Sequence, residues 1–299
     1  MEISIETILN ENEDIFKCNN PVIERLQGGN VNKAYKVTCD DKSFFVRING
    51  KQSDYLSLDR ILETEATKRA SELKISPLVY DVKRKGDYLV TDYFDGRNPE
   101  YEELFQEENI KKFTDILKVI HFEVHTDRRL SLFELIDGYM KIAVEKNVAM
   151  PDEVTEIFKE VDKIRAQRSK DKKYSNVFCH NDFWKNNLLI DDKEMVVIDW
   201  EMCGYGDAYS DLCHLTRFTD TPESVEKLIL KSYFGFFEDE MMVTLQQMKY
   251  VGRVLDMVFA FFHFAVQDPM ANHDIDYYKR GCDVASLLSK SKTGFIRFT

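Results

Sequence analysis

The sequence predicts an α+β fold in two lobes: a small antiparallel-sheet N-lobe with one helix, and a larger, mainly helical C-lobe. Two observations carry this. Runs rich in Val, Tyr and Phe fill the stretch from Val22 to Tyr93, broken by Gly28-Gly29, Asp40-Asp41, Gly50 and Gly86, which is how short strands joined by turns read. After Gly96 the apolar residues recur at helical spacing over long stretches instead.

Element by element, residues 3–17 read as a helix, and strands are expected within 22–38 and at 43–48, 79–83 and 88–93. One helix interrupts them, 58–73, where Ile61, Leu62 and Ala66 share a face and Pro77 follows the end. Helices are expected at about 101–126, 131–146 and 151–168, then two short strands at 188–190 and 195–198 joined through Asp191-Asp192-Lys193. Further helices follow at about 208–218, 222–236, 238–266 and 275–290. The lobes divide near Asp92–Gly96, so the expected domains are 1–94, binding nucleotide, and 95–299, carrying catalysis and the acceptor.

At 299 residues the chain buries a full core, and 43% hydrophobic with 31% charged residues is ordinary for a soluble protein. A net charge of −12 repels nucleic acid backbones and anionic lipid. No apolar run reaches a membrane span, and the acidic N-terminus does not read as a signal peptide, so a cytoplasmic location is expected. The six cysteines form no Cys-x-x-Cys pair and are expected to be reduced.

One stretch carries the chemistry: Phe178-Cys-His-Asn-Asp-Phe-Trp-Lys-Asn-Asn-Leu-Leu-Ile190, followed by Val196-Val-Ile-Asp-Trp-Glu201. His180-x-Asp182-x4-Asn187 with a further acid, Asp199, closing an apolar strand is the spacing of a kinase catalytic loop and its metal-binding strand. Asp182 is then expected to meet an acceptor hydroxyl, with Asn187 and Asp199 holding Mg2+. The 188–198 hairpin is what returns Asp199 beside the loop.

Nucleotide contacts are expected from the N-lobe. Gly28 and Gly29 sit at a strand turn, where missing β-carbons admit phosphate to the backbone N–H groups, although Gly-Gly also serves as a plain hairpin turn. Arg47 is a cation within the apolar strand Phe44-Phe-Val-Arg-Ile48. It either makes a surface ion pair or, paired with Glu63 of the next helix, does the work of the Lys–Glu pair that holds the α and β phosphates in kinases. The backbone around Asp92–Phe94 is the expected adenine hinge.

Together these residues resemble the aminoglycoside phosphotransferase and choline kinase superfamily, and within it the bacterial choline kinases. The parts keep family order: Gly28-Gly-x-x-Asn32, Val-Arg47, Arg60-x-x-Glu63, the hinge ending Asp95-Gly96, Ile120-His121, His180-Asn-Asp182-x4-Asn187, Ile-Asp199-Trp-Glu201, Gly204-Tyr-Gly-Asp207 and Asp211-Leu212. The resemblance implies a protein-kinase-like fold and transfer of the γ-phosphate of ATP, with Mg2+, to the hydroxyl of a small cationic alcohol, choline first. It adds Asn32 to the nucleotide site and implies that Asp211 anchors the loop through its backbone. His121 and His180 read as structural. Lys185 either touches the γ-phosphate or is solvated. The chain departs from relatives at Val31, where Thr is frequent, at Arg47, which replaces Lys, and after Asp211, where Leu-Cys-His-Leu-Thr-Arg-Phe218 lacks the Asn-His-Phe of the animal enzymes.

Choline's quaternary nitrogen has no hydrogen-bond donor, so aromatic faces and carboxylates must stabilise it. Relatives place two tryptophans three residues apart in the helix matching 238–266. The corresponding residues here are Phe259 and Phe262, with Trp184, Glu201 and Asp207 expected to complete the pocket. Aromatics at helical spacing otherwise belong to a core. An aminoglycoside acceptor calls for many acids, and residues 250–266 hold only Asp256. Ethanolamine and thiamine kinases fit the same pattern. A non-catalytic nucleotide-binding scaffold should have lost Asp182, Asn187 or Asp199, and all three are present.

Overall fold

The computed structural model describes residues 3–26, 32–50, 58–217, 219–266 and 275–290. In chain order the elements are α1 (Ile5–Glu11), α2 (Glu13–Phe16), β1 (Val22–Arg25), β2 (Lys33–Cys39), β3 (Lys42–Ile48), α3 (Arg60–Glu72), β4 (Tyr88–Asp92), α4 (Tyr101–Leu104), α5 (Glu107–Glu123), α6 (Leu132–Glu145), α7 (Glu153–Arg168) and β5 (Val177–Cys179). Then come β6 (Leu188–Ile190), β7 (Met195–Val197), β8 (Gly204–Gly206), α8 (Ala208–His214), α9 (Glu223–Phe234), α10 (Asp239–Val266) and α11 (Tyr277–Lys290). Two compact units result. The first is Met1–Pro99 with Val124–Thr126 and Asn186–Met202, and the second is Glu100–Glu123, Asp127–Lys185 and Cys203–Thr299.

In the first unit, β1–β4 form one antiparallel sheet in sequence order. Strand alternation sorts β3: Phe44, Val46 and Ile48 join a core with Ile5, Ile8, Phe16, Val37, Tyr88 and Val90, while Arg47 takes the opposite face. Phe16 meets Phe44 edge-on at 5.1 Å between centroids. Each such side chain contributes about 1.5–3 kcal/mol through burial. On α3, Asp59 caps the start by accepting from the amides of Ile61 and Leu62, both at 3.0 Å.

The hairpin β6–β7 belongs to this unit, not to the helical one as the 94/95 boundary implied, because it is tied there by hydrogen bonds along both edges. Arg97 and Ile190 exchange backbone bonds at 3.0 and 2.8 Å, and the Asn98 amide donates to the carbonyls of Asn186 and Leu188, each at 2.8 Å. Val197 donates to the Ile75 carbonyl at 2.8 Å and Ser76 donates to that of Val197 at 2.9 Å. Gly96 is required here, since a β-carbon would lie 2.6 Å from the Ile190 carbonyl oxygen.

Three expectations change. The helix foreseen over 3–17 is two helices broken at Asn12, and the reason is polar. Fully buried Asn12 donates to the Ile8 carbonyl and Tyr88 hydroxyl at 2.8 and 2.7 Å and accepts from the Lys83 amide at 3.1 Å, so its side chain competes with helix continuation. The strand foreseen at 79–83 reduces to a single bridge, Val79 to Thr91. Cys18 and Cys39, expected reduced, form a disulfide with Cα atoms 5.4 Å apart. Their 21-residue separation carries no pairing signal, and β2 supplies the proximity.

The second unit is built around α10, 28 residues long, packed on α6, α8 and α11. Among the described residues no helix is long and apolar enough to cross a membrane. The expected α+β architecture is what the chain adopts, with a small antiparallel sheet and a mainly helical remainder.

Asn12→Ala takes the partner from the buried Tyr88 hydroxyl and from the Lys83 amide and is expected to lower stability by about 1–3 kcal/mol, read as a lower urea midpoint at unchanged m-value.

Candidate active site

Arg47 is 7% exposed, and an unpaired guanidinium at that depth is not tolerated. Its Nη2 lies 2.5 Å from Glu63 Oε1, its Nη1 3.3 Å from Asp199 Oδ1, and its Nε donates to Asn49 Oδ1 at 3.0 Å. Arg47 therefore sits in a buried pair with Glu63, and the surface-pair alternative is excluded. Glu63 is shared: Arg60 Nη1 reaches Glu63 Oε2 and Glu201 Oε2, both at 2.8 Å. Burial pushes the Glu63 carboxyl upward, but Arg47 and Arg60 outweigh it and hold the group below the usual carboxylate range.

Asn32 and Glu201 complete this array. Asn32 Oδ1 accepts from the Gly50 amide at 3.1 Å and Arg60 Nη2 at 3.4 Å. Glu201, expected against the acceptor, is bonded through one oxygen to Arg60, since the buried Arg60 guanidinium takes a second anion beside Glu63. Gly28 and Gly29 lie outside the described residues.

The β6–β7 hairpin brings Asn187 and Asp199 to its open end, where Ile198 donates to the Asn187 carbonyl at 3.0 Å. Asp199 has φ +65° and a side chain 40% exposed. An amide oxygen and a carboxylate at one end of a hairpin are the hard donors that Mg2+ takes, so these residues fit that ion. At the hinge, the amides of Asp92 and Tyr93 are already bonded to the carbonyls of Leu78 and Ser43 at 2.8 and 3.0 Å. Asp92's carboxylate holds Tyr80 and Lys42 at 2.6 and 3.0 Å. Within the expected adenine edge, these bonds take Asp92 and Tyr93 into the sheet, and Phe94 is the residue that follows them.

In the second unit the 180–187 loop leaves β5, which pairs with β8, and α8 starts directly after β8. The loop therefore meets the first turns of α8. Asp211 there accepts from the His180 and Asn181 amides at 2.8 and 2.7 Å and faces His121 Nε2 at 3.0 Å. The other ring nitrogen of His121 lies 2.6 Å from the Tyr233 hydroxyl. Burial alone would raise the Asp211 pKa, but the His121 hydrogen bond and the loop around His180 hold it below the usual range. Asn181 adopts φ +61° and donates to the Leu130 carbonyl at 2.5 Å.

Asp182 follows, its side chain 36% exposed, with Oδ1 at 3.2 Å from His214 Nε2. Trp184 is half-buried and its amide donates to the Asp182 carbonyl at 3.0 Å. Lys185 pairs with Glu100 at 2.6 Å and is not simply solvated.

Asp207 and Phe262 are corrections. Asp207 is 3% exposed, caps α8 through the Tyr209 amide at 2.9 Å and faces Arg168 Nε at 2.6 Å. Both its oxygens are engaged, so it supports the fold and not a ligand. Phe262 is 1% exposed and its ring centroid lies 4.9 Å from that of Tyr139, so it is core between α10 and α6. Phe259 is 38% exposed, 5.4 Å from Tyr139 and 4.3 Å from His263. The two phenylalanines do not form a matched cage, because one points into the helix interface.

Sequence reasoning passed over Arg60, His214 and Arg217 as functional groups. The signal was present: Asp211, His214 and Arg217 recur at three-residue intervals, which puts them along one helical face.

A phosphotransferase with an alcohol acceptor is the class these features define. The chain belongs to the choline/ethanolamine kinase family, which matches over residues 23–223. It is similar in fold to the choline/ethanolamine kinase family protein of Mesorhizobium loti, at 21% identity and TM-score 0.74, covering 90% of this chain and 88% of that one. The ethanolamine kinase of Plasmodium vivax matches at 14% identity and TM-score 0.74, over 94% and 85%. The choline kinase LicA of Streptococcus pneumoniae, also solved in complex with AMP, matches at 17% identity and TM-score 0.73, over 94% and 98%. The chain matches no curated protein sequence.

Glu63→Ala removes the anion between two buried guanidinium groups and is expected to cost about 3–5 kcal/mol in urea unfolding, with Glu63→Gln losing less. Asp211 gives a pH signature. Because its folded pKa is depressed, its contribution is complete above the unfolded value and is lost as pH falls through the folded one. The stability gap between wild type and Asp211→Asn should be flat from about pH 6 to 8 and shrink below about pH 4.

Proposed function

We propose that this protein is an ATP- and Mg2+-dependent kinase that phosphorylates the hydroxyl of a small amino alcohol, with choline the first candidate and ethanolamine the second. The observation that carries the reading is the Asp182 carboxylate, half-exposed on a loop fastened by Asp211. Family membership supports it. Asp182 orients the acceptor hydroxyl and takes its proton as the new O–P bond forms and the bond to the β-phosphate oxygen breaks, releasing ADP. Asn187 and Asp199 would hold Mg2+, which when bound would supply charge neutralisation at the β and γ phosphates. Arg47, kept in place by Glu63, holds the α and β phosphates, with Gly28, Gly29 and Asn32 beside them and Phe94 at the adenine edge. Nucleotide binding in LicA, solved with AMP, supports that half of the reading. A cytoplasmic location fits such substrates.

On the acceptor side Phe259 offers the one exposed ring of its pair, and Trp184 is a second aromatic near Asp182 in sequence. One phenylalanine face attracts a quaternary ammonium less than two tryptophans do, which keeps ethanolamine, whose ammonium donates hydrogen bonds, in the comparison.

The test is ADP release by the purified protein with Mg2+ against choline, ethanolamine, thiamine and kanamycin. Choline or ethanolamine is expected to give the highest kcat/KM. Asp182→Asn is expected to lower kcat by about 100- to 10,000-fold with the ATP dissociation constant nearly unchanged. Full turnover by Asp182→Asn, or activity with kanamycin alone, sinks the proposal.

A further inference from the structure

The helix that anchors the catalytic loop also reaches the catalytic carboxylate. His214, the last residue of α8, is 2% exposed, and its Nε2 is 3.2 Å from Asp182 Oδ1. Its Nδ1 faces Arg217 Nη1 at 3.4 Å. A guanidinium is a donor only, so the nitrogen facing it carries a lone pair and the ring proton sits on Nε2, aimed at Asp182.

Arg217 is itself fixed. It is 3% exposed, its Nη2 lies 3.2 Å from Asp256 Oδ1 on α10, and Arg253 donates to its carbonyl. Gly252 of α10 makes room for it, since a β-carbon there would lie 2.7 Å from Arg217 Nη1. A chain of four side chains results, Asp256 to Arg217 to His214 to Asp182, and each of the first three has little freedom to turn.

From this geometry we infer that His214 is a positioning residue for phosphoryl transfer: a neutral imidazole, its tautomer set by Arg217, that holds the Asp182 carboxylate through Oδ1 by hydrogen bond. The inference rests on Asp182 being the catalytic carboxylate. Two consequences follow for Asp182. Its rotamer is set before the acceptor arrives, which lowers the entropic cost of a reactive alignment. Its ionised form gains a donor, which keeps it a proton acceptor at neutral pH.

The surrounding charges agree. Facing this pair are His180 on the loop, Asp211 one turn back on α8, Arg217, and Asp256 with Arg253 from α10. Burial and the adjacent Arg217 hold His214 below the usual histidine range, so it stays neutral. Burial pushes Asp182 up, but His214, His180 and Arg217 outweigh it and hold it down.

The experiment compares wild type, His214→Leu, His214→Gln and Asp182→Asn, each checked for thermal unfolding and ATP binding. Leu removes the donor. The Gln Nε2 can occupy the place of the imidazole Nε2. His214→Leu is expected to lower kcat about 10- to 100-fold, the loss of one hydrogen bond to a charged group, with KM for ATP unchanged. The acid limb of its pH profile for kcat/KM should move to higher pH, because Asp182 loses a group that favours its charge, and His214→Gln should bring back both.

A folded, ATP-binding His214→Leu with wild-type kcat and an unmoved limb overturns the inference while leaving Asp182 catalytic. Full turnover by Asp182→Asn overturns the underlying reading instead. A readout free of turnover is long-range 15N–1H NMR of histidine-labelled protein: the Nε2–H neutral tautomer is expected for His214, and the Nδ1–H tautomer overturns the assignment.

Discussion

Asp211 has no exposed surface, and burial of an ionised carboxylate is tolerated only where donors surround it. It has them in the amides of His180 and Asn181 and in His121. That demand organises the helical unit. The loop cannot drift from α8 without stranding two amides and a carboxylate together, so Asp182 is referenced to a helix although it stands on a loop. The strand pair β5–β8 and the Asp207 cap, itself held by Arg168, place the start of α8 where Asp211 can serve both amides.

The first unit meets the same difficulty with several charges. Arg47, Glu63 and Arg60 are each less than 9% exposed, and no one of them is tolerable alone. Linked in sequence to Asp199 and Glu201, they alternate in sign, so each guanidinium lies between two acids. Arginine suits this better than lysine, since its planar fork addresses Glu63, Asp199 and Asn49 at once from fixed directions. The ion network thereby fixes Asp199, one of the two residues suited to Mg2+.

Two of the six non-glycine residues with positive φ among the described residues stand at these places, the others being Lys17, Asp40, Lys74 and Asn147. Asn181 and Asp199 both lie in the left-handed region, at φ +61° and +65°. Such residues persist when their surroundings over-determine them, and they gather at functional sites. Asn181 is held by Leu130 and by Asp211 through its amide, and Asp199 by Arg47. Asn and Asp are also the side chains that tolerate this region best after glycine.

What the sequence by itself determined was local. The alternation of Phe44, Val46 and Ile48 placed Arg47 on its own face of β3, the spacing from His180 to Asn187 marked the loop, and the 188–198 hairpin brought Asn187 and Asp199 to one end. These depend on spacings of a few residues, which secondary structure converts directly into faces and ends. Tertiary structure alone decided the partners of charges and rings far apart in the chain. It gave Glu201 to Arg60, Asp207 to Arg168, Phe262 to Tyr139, Cys18 to Cys39 and His214 to Asp182. Whether a carboxylate or an aromatic faces a ligand or the interior depends on which surface is withdrawn from water, and packing between distant elements sets that.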